Sequence, residues 1–302
     1  MIMRLLAAIF TLSVCLAPAF AQQQGDPEFD TSVARPAYKK DGPRVMFDEA
    51  HHNFHTSDGR YKPFVDLLMN DGYNLIRNRQ PFVKTRLSGF KILVIANALG
   101  AEEDDDKGAD SSAFTDEEIA AVADWVKDGG ALLLIADHAP FGGAASSLSK
   151  RFGVDMSMGY TFDPENSVAG SPSQLIFSRE NKLLNTHPIT EGRGENERLK
   201  LVRSFTGQAL KGPEGSVAIL KLSDSAYDSP SFDSGLSVSA AGRAQALALK
   251  FGKGRVVVQG EAAMLSAQIS GADKRTLGMN VPGNDDKQYA LNVMHWLSGI
   301  LK

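Results

Sequence analysis

Thr115–His138, TDEEIAAVADWVKDGGALLLIADH, is the stretch that decides the fold. Thr115 and Glu118 have the T-x-x-E spacing of a capping box, in which each side chain takes up a backbone N–H that the first helical turn leaves free. Ile119, Val122 and Val126 recur at helical spacing, and Gly129-Gly130 supplies the stop. The run that follows, Ala131 to Ala136, shows no alternation of polar and apolar residues. A strand without alternation is covered on both faces, the condition of a parallel sheet between layers of helices. It leads directly into Asp137-His138-Ala139-Pro140, a polar cluster at the strand's carboxyl end.

The same grammar holds on either side. Arg44-Val45-Met46-Phe47 reads as a buried strand that ends in Asp48-Glu49-Ala50-His51-His52-Asn53-Phe54-His55. A helix follows, with Pro63 in its first turn, Phe64, Leu67 and Leu68 on one face, and Gly72 as its end. Strands are expected at Tyr73–Ile76 and at Ile92–Ala96. Strand, helix and strand joined by short loops require right-handed crossovers in a parallel sheet. Downstream, Ala246–Leu249 and Arg255–Val258 flank Phe251-Gly252-Lys253-Gly254 as a β-hairpin. A last helix is expected at Lys287–Leu297 behind Asp285 and Asp286, with Ala290, Val293 and Leu297 facing inward. Residues 145–240 are rich in Ser, Gly and Pro, and only Val217–Leu222 reads there as a strand. No internal repeat or second core is visible. Residues 43–302 therefore read as one α/β domain with a mostly parallel sheet, helices on both faces and a C-terminal β-hairpin.

The N-terminus reads differently. MIMRLLAAIFTLSVCLAPAFA places Arg4 before an apolar run broken by Pro18 and ends in Ala19-Phe20-Ala21, the order of a secretory signal cut before Gln22. The expected destination is the periplasm or the exterior, with no transmembrane segment left after cleavage. Residues 22–42 are polar and without period, as a flexible segment would be. The one cysteine, Cys15, leaves with the signal, and with it any disulfide, thiolate metal site or cysteine nucleophile. Val14 before Cys15 does not suit a lipoprotein.

Composition narrows the partner. Of 302 residues, 43% are hydrophobic and 23% charged, and the formal charge is -4. That balance suits a globular protein and excludes a nucleic-acid groove. The acidic loop Glu102–Asp110 lacks the ligand order of an EF-hand and reads as solvated.

No P-loop, G-x-G-x-x-G, H-E-x-x-H or G-x-S-x-G is written in the chain. The chemistry is instead a matter of position, because ligands of open parallel sheets bind outside the carboxyl ends of the strands. The candidates there are Asp48, His51, His52, Asp137, His138 and, after Val258-Gln259-Gly260, Glu261. Imidazole and carboxylate suit a divalent metal such as zinc, for which His51, His55 and His138 are the candidate ligands. Neutral histidine serves equally as a general base without metal. His187, before Pro188, is expected to fix its loop by a hydrogen bond, and His295 to pack in the last helix or to meet solvent.

Taken together, VMFDEAHHNF (45–54), FTDEEIAAVADWVKDGGALLLIADHAP (114–140), the His187-Pro188-Ile189 turn, VVVQGEAAML (256–265) and NDDKQYALNVMHWLSG (284–299) resemble class I glutamine amidotransferase-like proteins. The resemblance is to the branch with trehalose-utilisation (ThuA-like) proteins and the gliding-motility/intraflagellar-transport type domain, and it spans residues 43–300. It implies a flavodoxin-like sheet and a site beyond the central strand. Where an amidotransferase has its nucleophilic cysteine, Asp137-His138 stands, so the resemblance implies no glutaminase reaction. Two functions are expected. One is an exported hydrolase-like protein whose His/Asp cluster works on a small polar or carbohydrate-related substrate; the other is a non-catalytic ligand-binding module of the cell envelope.

Overall fold

A computed structural model describes residues 23–302, so the expected leader, with Arg4 and Cys15, lies outside the described residues. The chain builds β1 (Arg44–Asp48), α1 (Lys62–Asn70), β2 (Asn74–Asn78), β3 (Ile92–Ala96), α2 (Asp116–Lys127), β4 (Ala131–Ile135) and α3 (Phe141–Arg151). β5 (Asp155–Met156), β6 (Leu210–Lys211), β7 (Val217–Lys221), β8 (Ala244–Phe251), β9 (Gly254–Gln259) and α4 (Asp286–Ser298) follow, with smaller elements between them.

One nine-stranded sheet runs in the order β2-β1-β3-β4-β9-β8-β6-β5, with β7 also paired to β8. The first five strands are parallel, with Val45 opposite Ile92, Leu93 opposite Leu132 and Leu134 opposite Val258. Their spatial order is the 2-1-3-4-5 order of a flavodoxin-like sheet. The hairpin β8–β9 then turns the sheet antiparallel.

The unalternating strands are explained by two cores. Phe47, Val94 and Leu133 point to the face covered by α1 and α4, while Met46, Leu93 and Leu134 point to the face covered by α2 and α3. Side chains alternate along each strand, so a strand between two dry faces must be apolar at every position. The Thr115–Glu118 capping box is formed, and Gly130 packs so close to Trp125 that a Cβ would lie 2.3 Å from the ring.

The region without clear pattern, 145–240, holds β5–β7 and two small antiparallel sheets. One joins Ser167–Val168, Ser171–Ser178 and Leu201–Arg203; the other joins Tyr160–Phe162, Tyr227–Ser229 and Val238–Ser239. Residues 23–42 contain almost no regular structure but do make tertiary contacts. Gln24–Gly25 pairs with Ala267–Ser270, and Phe29, Val33 and Tyr38 pack on the core. These three side chains supply apolar area that the polar composition of the segment conceals. No described helix is long and apolar enough to cross a membrane.

Candidate functional site

The carboxyl ends of β1, β3, β4 and β9 face the same edge, and the strand order reverses between β1 and β3. Loops diverge at such a point and leave a crevice. The polar residues expected there divide into two groups and an outlier.

The first group is closed. Asp48 ends β1, and its Oδ2 lies 2.8 Å from His51 Nδ1; His51 Nε2 lies 2.9 Å from Glu118 Oε1. Glu118 is the third residue of α2 and holds its capping contacts with Thr115 through Oε2, while its Oε1 also accepts the Phe82 N–H at 2.9 Å. The rings of Phe82 and Phe114 flank the imidazole at 4.6 and 4.8 Å. Burial opposes the charge on His51, but its bonds to Asp48 and Glu118 outweigh that and hold its pKa above the usual value. Burial likewise opposes the charge on Glu118, yet His51 and the Thr115 and Phe82 N–H groups hold its carboxyl below the usual range. Both ring nitrogens are thus occupied as donors, and His51 has no lone pair to offer a metal or a proton.

The second group is open. Asp137, His138, Glu261, His55 and Asn97 line one cavity of about 280 Å³. His138 Nδ1 faces the Ala139 carbonyl oxygen at 2.7 Å and must donate to it, which leaves Nε2 bare in the neutral ring. The imidazole stacks on Tyr160, with ring centroids 4.5 Å apart. Gln208 fixes the loop from beneath by donating to the Ala136 and Asp137 carbonyls at 2.9 and 2.8 Å. Burial raises the Asp137 pKa, against the charge of His138 and backbone N–H donors. Glu261 is pushed well up by burial and then by the charge of Asp137, against the Met264 and Ala263 N–H groups bonded to its two oxygens. Both carboxyls are therefore held above the usual carboxylate range.

His55 stacks on Tyr61 at 4.7 Å, and Tyr61 donates to the Ala262 carbonyl at 2.6 Å, tying the first loop to the Glu261 turn. Complete burial, with smaller contributions from the nearby Arg60 and His138 charges, lowers the His55 pKa to about 3. This histidine is neutral.

His52 is the outlier. It is exposed, in left-handed backbone at φ 47°, and lines a separate groove of about 950 Å³ rather than the cavity. His51, His55 and His138 are not brought together as one ligand set, and among the described residues no three His, Cys, Asp or Glu side chains gather as a metal ion needs. The physical reason lies in the backbone between them. His51 turns toward α2, whereas His55, four residues on, returns to the Tyr61 side.

The remaining histidines are elsewhere. His187 Nδ1 accepts the Ile189 N–H at 3.2 Å and caps Pro188–Glu191, a loop-fixing bond of the kind expected. His295 meets no solvent; its Nε2 lies 2.7 Å from Asp71 Oδ2 in the core. Asp285 stands at the N-cap of α4 and Asp286 is its first residue, but neither side chain caps the helix, because their carboxylates accept N–H groups of Leu201 and Arg203.

Asn97 was not among the sequence candidates. It follows β3 directly, adopts φ 49°, and takes the Asp137 N–H on Oδ1 at 3.0 Å. A polar residue tolerant of left-handed backbone, straight after an all-apolar strand, was the available signal.

No known protein family and no curated protein matches the sequence. Among solved structures, the mmIFT52 N-terminal domain superposes with a TM-score of 0.59 at 14% identity, over 85% of this chain and 97% of that one. The fold is that of the intraflagellar-transport type domain. Its parallel strands have the flavodoxin-like order that the sequence resemblance implied. Two thua-like proteins also superpose. The one from Bacteroides uniformis ATCC 8492 has a TM-score of 0.45 and 11% identity over 90% of this chain and 95% of that one. The one from Parabacteroides merdae ATCC 43184 has 0.46 and 12% over 86% and 91%. A shared fold carries no reaction with it.

Proposed function

We propose that the protein is an exported hydrolase that uses the Asp137–Glu261 pair and His138 as acid and base on a small polar, carbohydrate-related substrate. The observation that carries this reading is the presence of two buried carboxyls, Asp137 and Glu261, in one cavity with an imidazole whose Nε2 is free. Hydrolysis of a C–O bond needs both halves. His138 Nε2 takes a proton from water as its oxygen attacks, the carboxyl pair gives its proton to the departing oxygen, and the proton on His138 then returns to the pair. No metal is required by this scheme. The cavity is at the small end of ligand sites, which suits a substrate of monosaccharide size.

Turnover of p-nitrophenyl glycosides and esters between pH 4 and 9 tests the scheme. The expected result is a bell-shaped profile and a loss of about a hundredfold or more in Asp137→Asn and His138→Gln. Activity untouched by both substitutions overturns it.

A second reading has its own support. Both oxygens of Glu261 already accept backbone N–H groups, as a structural carboxylate would. Saturable binding of a sugar without turnover of any member of the panel would make the cavity the recognition site of an envelope module. Export is read from the leader, and the intact mass of the secreted protein, starting at Gln22, is its test.

A further inference from the structure

The chemistry of the cavity wall narrows the ligand class, and this inference rests on the site proposed above. Its carboxyl groups are Asp104, Asp137 and Glu261, and no Lys or Arg lines it among the described residues. Three phenylalanines, Phe54, Phe141 and Phe205, supply aromatic surface. Carboxylates beside aromatic rings recognise an ammonium group. The surroundings have the same sign. Asp104 also lines a neighbouring depression with Asp106 and Asp110, and Glu102 and Glu103 line the larger groove, against Lys107 within the loop. The nearest fixed cation, Arg60, stands against this wall, its guanidinium 3.8 Å over Phe54 and its Nε donating to the Gln23 carbonyl, so Phe141 and Phe205 are the rings it does not cover.

A second, independent observation lies at the cavity wall. Asn97 Nδ2 and Gln268 Nε2 are buried and lack hydrogen-bond partners, in side chains only 1% and 0% exposed. His55 Nδ1, in a residue 3% exposed, is also unpartnered. Buried amide donors left unpaired cost free energy, and a ligand that brings oxygen acceptors recovers it. The volume, about 280 Å³, is that of roughly nine waters at about 30 Å³ each, enough for one sugar ring.

We propose that the cavity binds a small ligand with an ammonium group and several hydroxyl oxygens, an amino sugar in chemical class. The ammonium meets Asp104 and Asp137 against the phenyl rings, and the hydroxyls accept from Asn97 and Gln268.

Glucosamine, glucose and glucuronate have similar size and differ in charge, and they are the probes. Calorimetric titration of the purified protein at pH 6.5 in 0.15 M salt is expected to give glucosamine a Kd at least about tenfold below that of glucose, a difference of about 1.4 kcal/mol. Glucuronate is expected not to bind. Asp104→Asn, on an exposed loop that tolerates it, should reduce the preference for glucosamine to about threefold or less. Asp137→Asn should abolish the preference. Equal affinity for glucose, tighter binding of glucuronate, or no binding of any of the three overturns the proposal. The hydrolytic reading is judged separately. Turnover that depends on Asp137 with no ammonium preference retires the amino-sugar class alone, and ammonium-selective binding without turnover retires hydrolysis alone.

Discussion

His51 and His55 sit four residues apart in the loop after β1, and their surroundings hold them in opposite states. His51 has a carboxylate on each ring nitrogen, and these hold its pKa above the usual value. His55 has an aromatic ring on one side, an unpartnered Nδ1, and a pKa lowered to about 3. The comparison shows that a histidine beside acids is not for that reason a catalytic one. Where every lone pair and proton is satisfied, as in Asp48–His51–Glu118, the group braces β1 against α2. Where the carboxyls are crowded together and the histidine keeps a bare nitrogen, as around Asp137 and His138, the group can do work on a ligand.

The contrast can be broken most severely at Asp137. Asp137→Asn removes the charge that adds to burial in holding Glu261 up, and is expected to lower turnover by about 10²–10⁴-fold. The unfolding midpoint should barely change, since a carboxyl that burial already disfavours as an anion loses little by becoming an amide. A large fall in urea midpoint would place Asp137 among the braces.

His51→Leu is expected to do the reverse. It leaves Asp48 and Glu118, both buried, without the cation between them, at a cost of about 3–5 kcal/mol in urea unfolding. Restoring much of that loss with Glu118→Gln in the same chain would locate the cost in the stranded charge.

The two histidines should also bend the stability–pH curve in opposite senses. Because the folded pKa of His51 is raised, its contribution is complete below about pH 6.5 and fades as pH rises through the folded value. Because that of His55 is lowered to about 3, stability is lost as pH falls from about 6.5 toward 3, by at most roughly 1.4 kcal/mol per unit. In His51→Gln the alkaline decline should flatten and the acid decline persist; His55→Gln should show the converse. An unchanged curve in both would remove the distinction.

The mildest perturbation is Thr115→Ala, which opens the capping box and loosens Glu118 without touching the cavity. A loss of about 0.5–2 kcal/mol with turnover intact is expected.

Much of this architecture was legible because the physics was local. Leu132–Ile135, Ile92–Ala96 and Val45–Phe47 are apolar without alternation, and only a doubly covered parallel strand requires that. The capping box and the hairpin were equally plain. Position at the strand ends also placed Asp137, His138, Glu261 and His55 at one edge, where the structure gathers them around a cavity. What one sequence could not show was the division of the cluster. The partner of His51 on the far side is Glu118, 67 residues away, and its charge is visible only once α2 is laid beside β1. The same holds for Asp71 and His295, 224 residues apart in the chain. Residues 145–240 were obscure because their strands are two to eight residues long and pair mostly outside the central sheet. Short edge strands carry little periodicity to read.

Gln23 lines both the cavity and the larger groove, and its side-chain amide is bonded to Gln268 while its carbonyl accepts from Arg60. The other end of the chain is remote from this, since Arg255, at the start of β9, holds the Leu301 carbonyl at the opposite edge of the sheet. An affinity tag fused ahead of Gln23 would therefore begin at the mouth of the site and compete with whatever enters it. One fused after Lys302 would leave that mouth clear, so the placement of a purification handle would itself decide whether the pocket is open to assay.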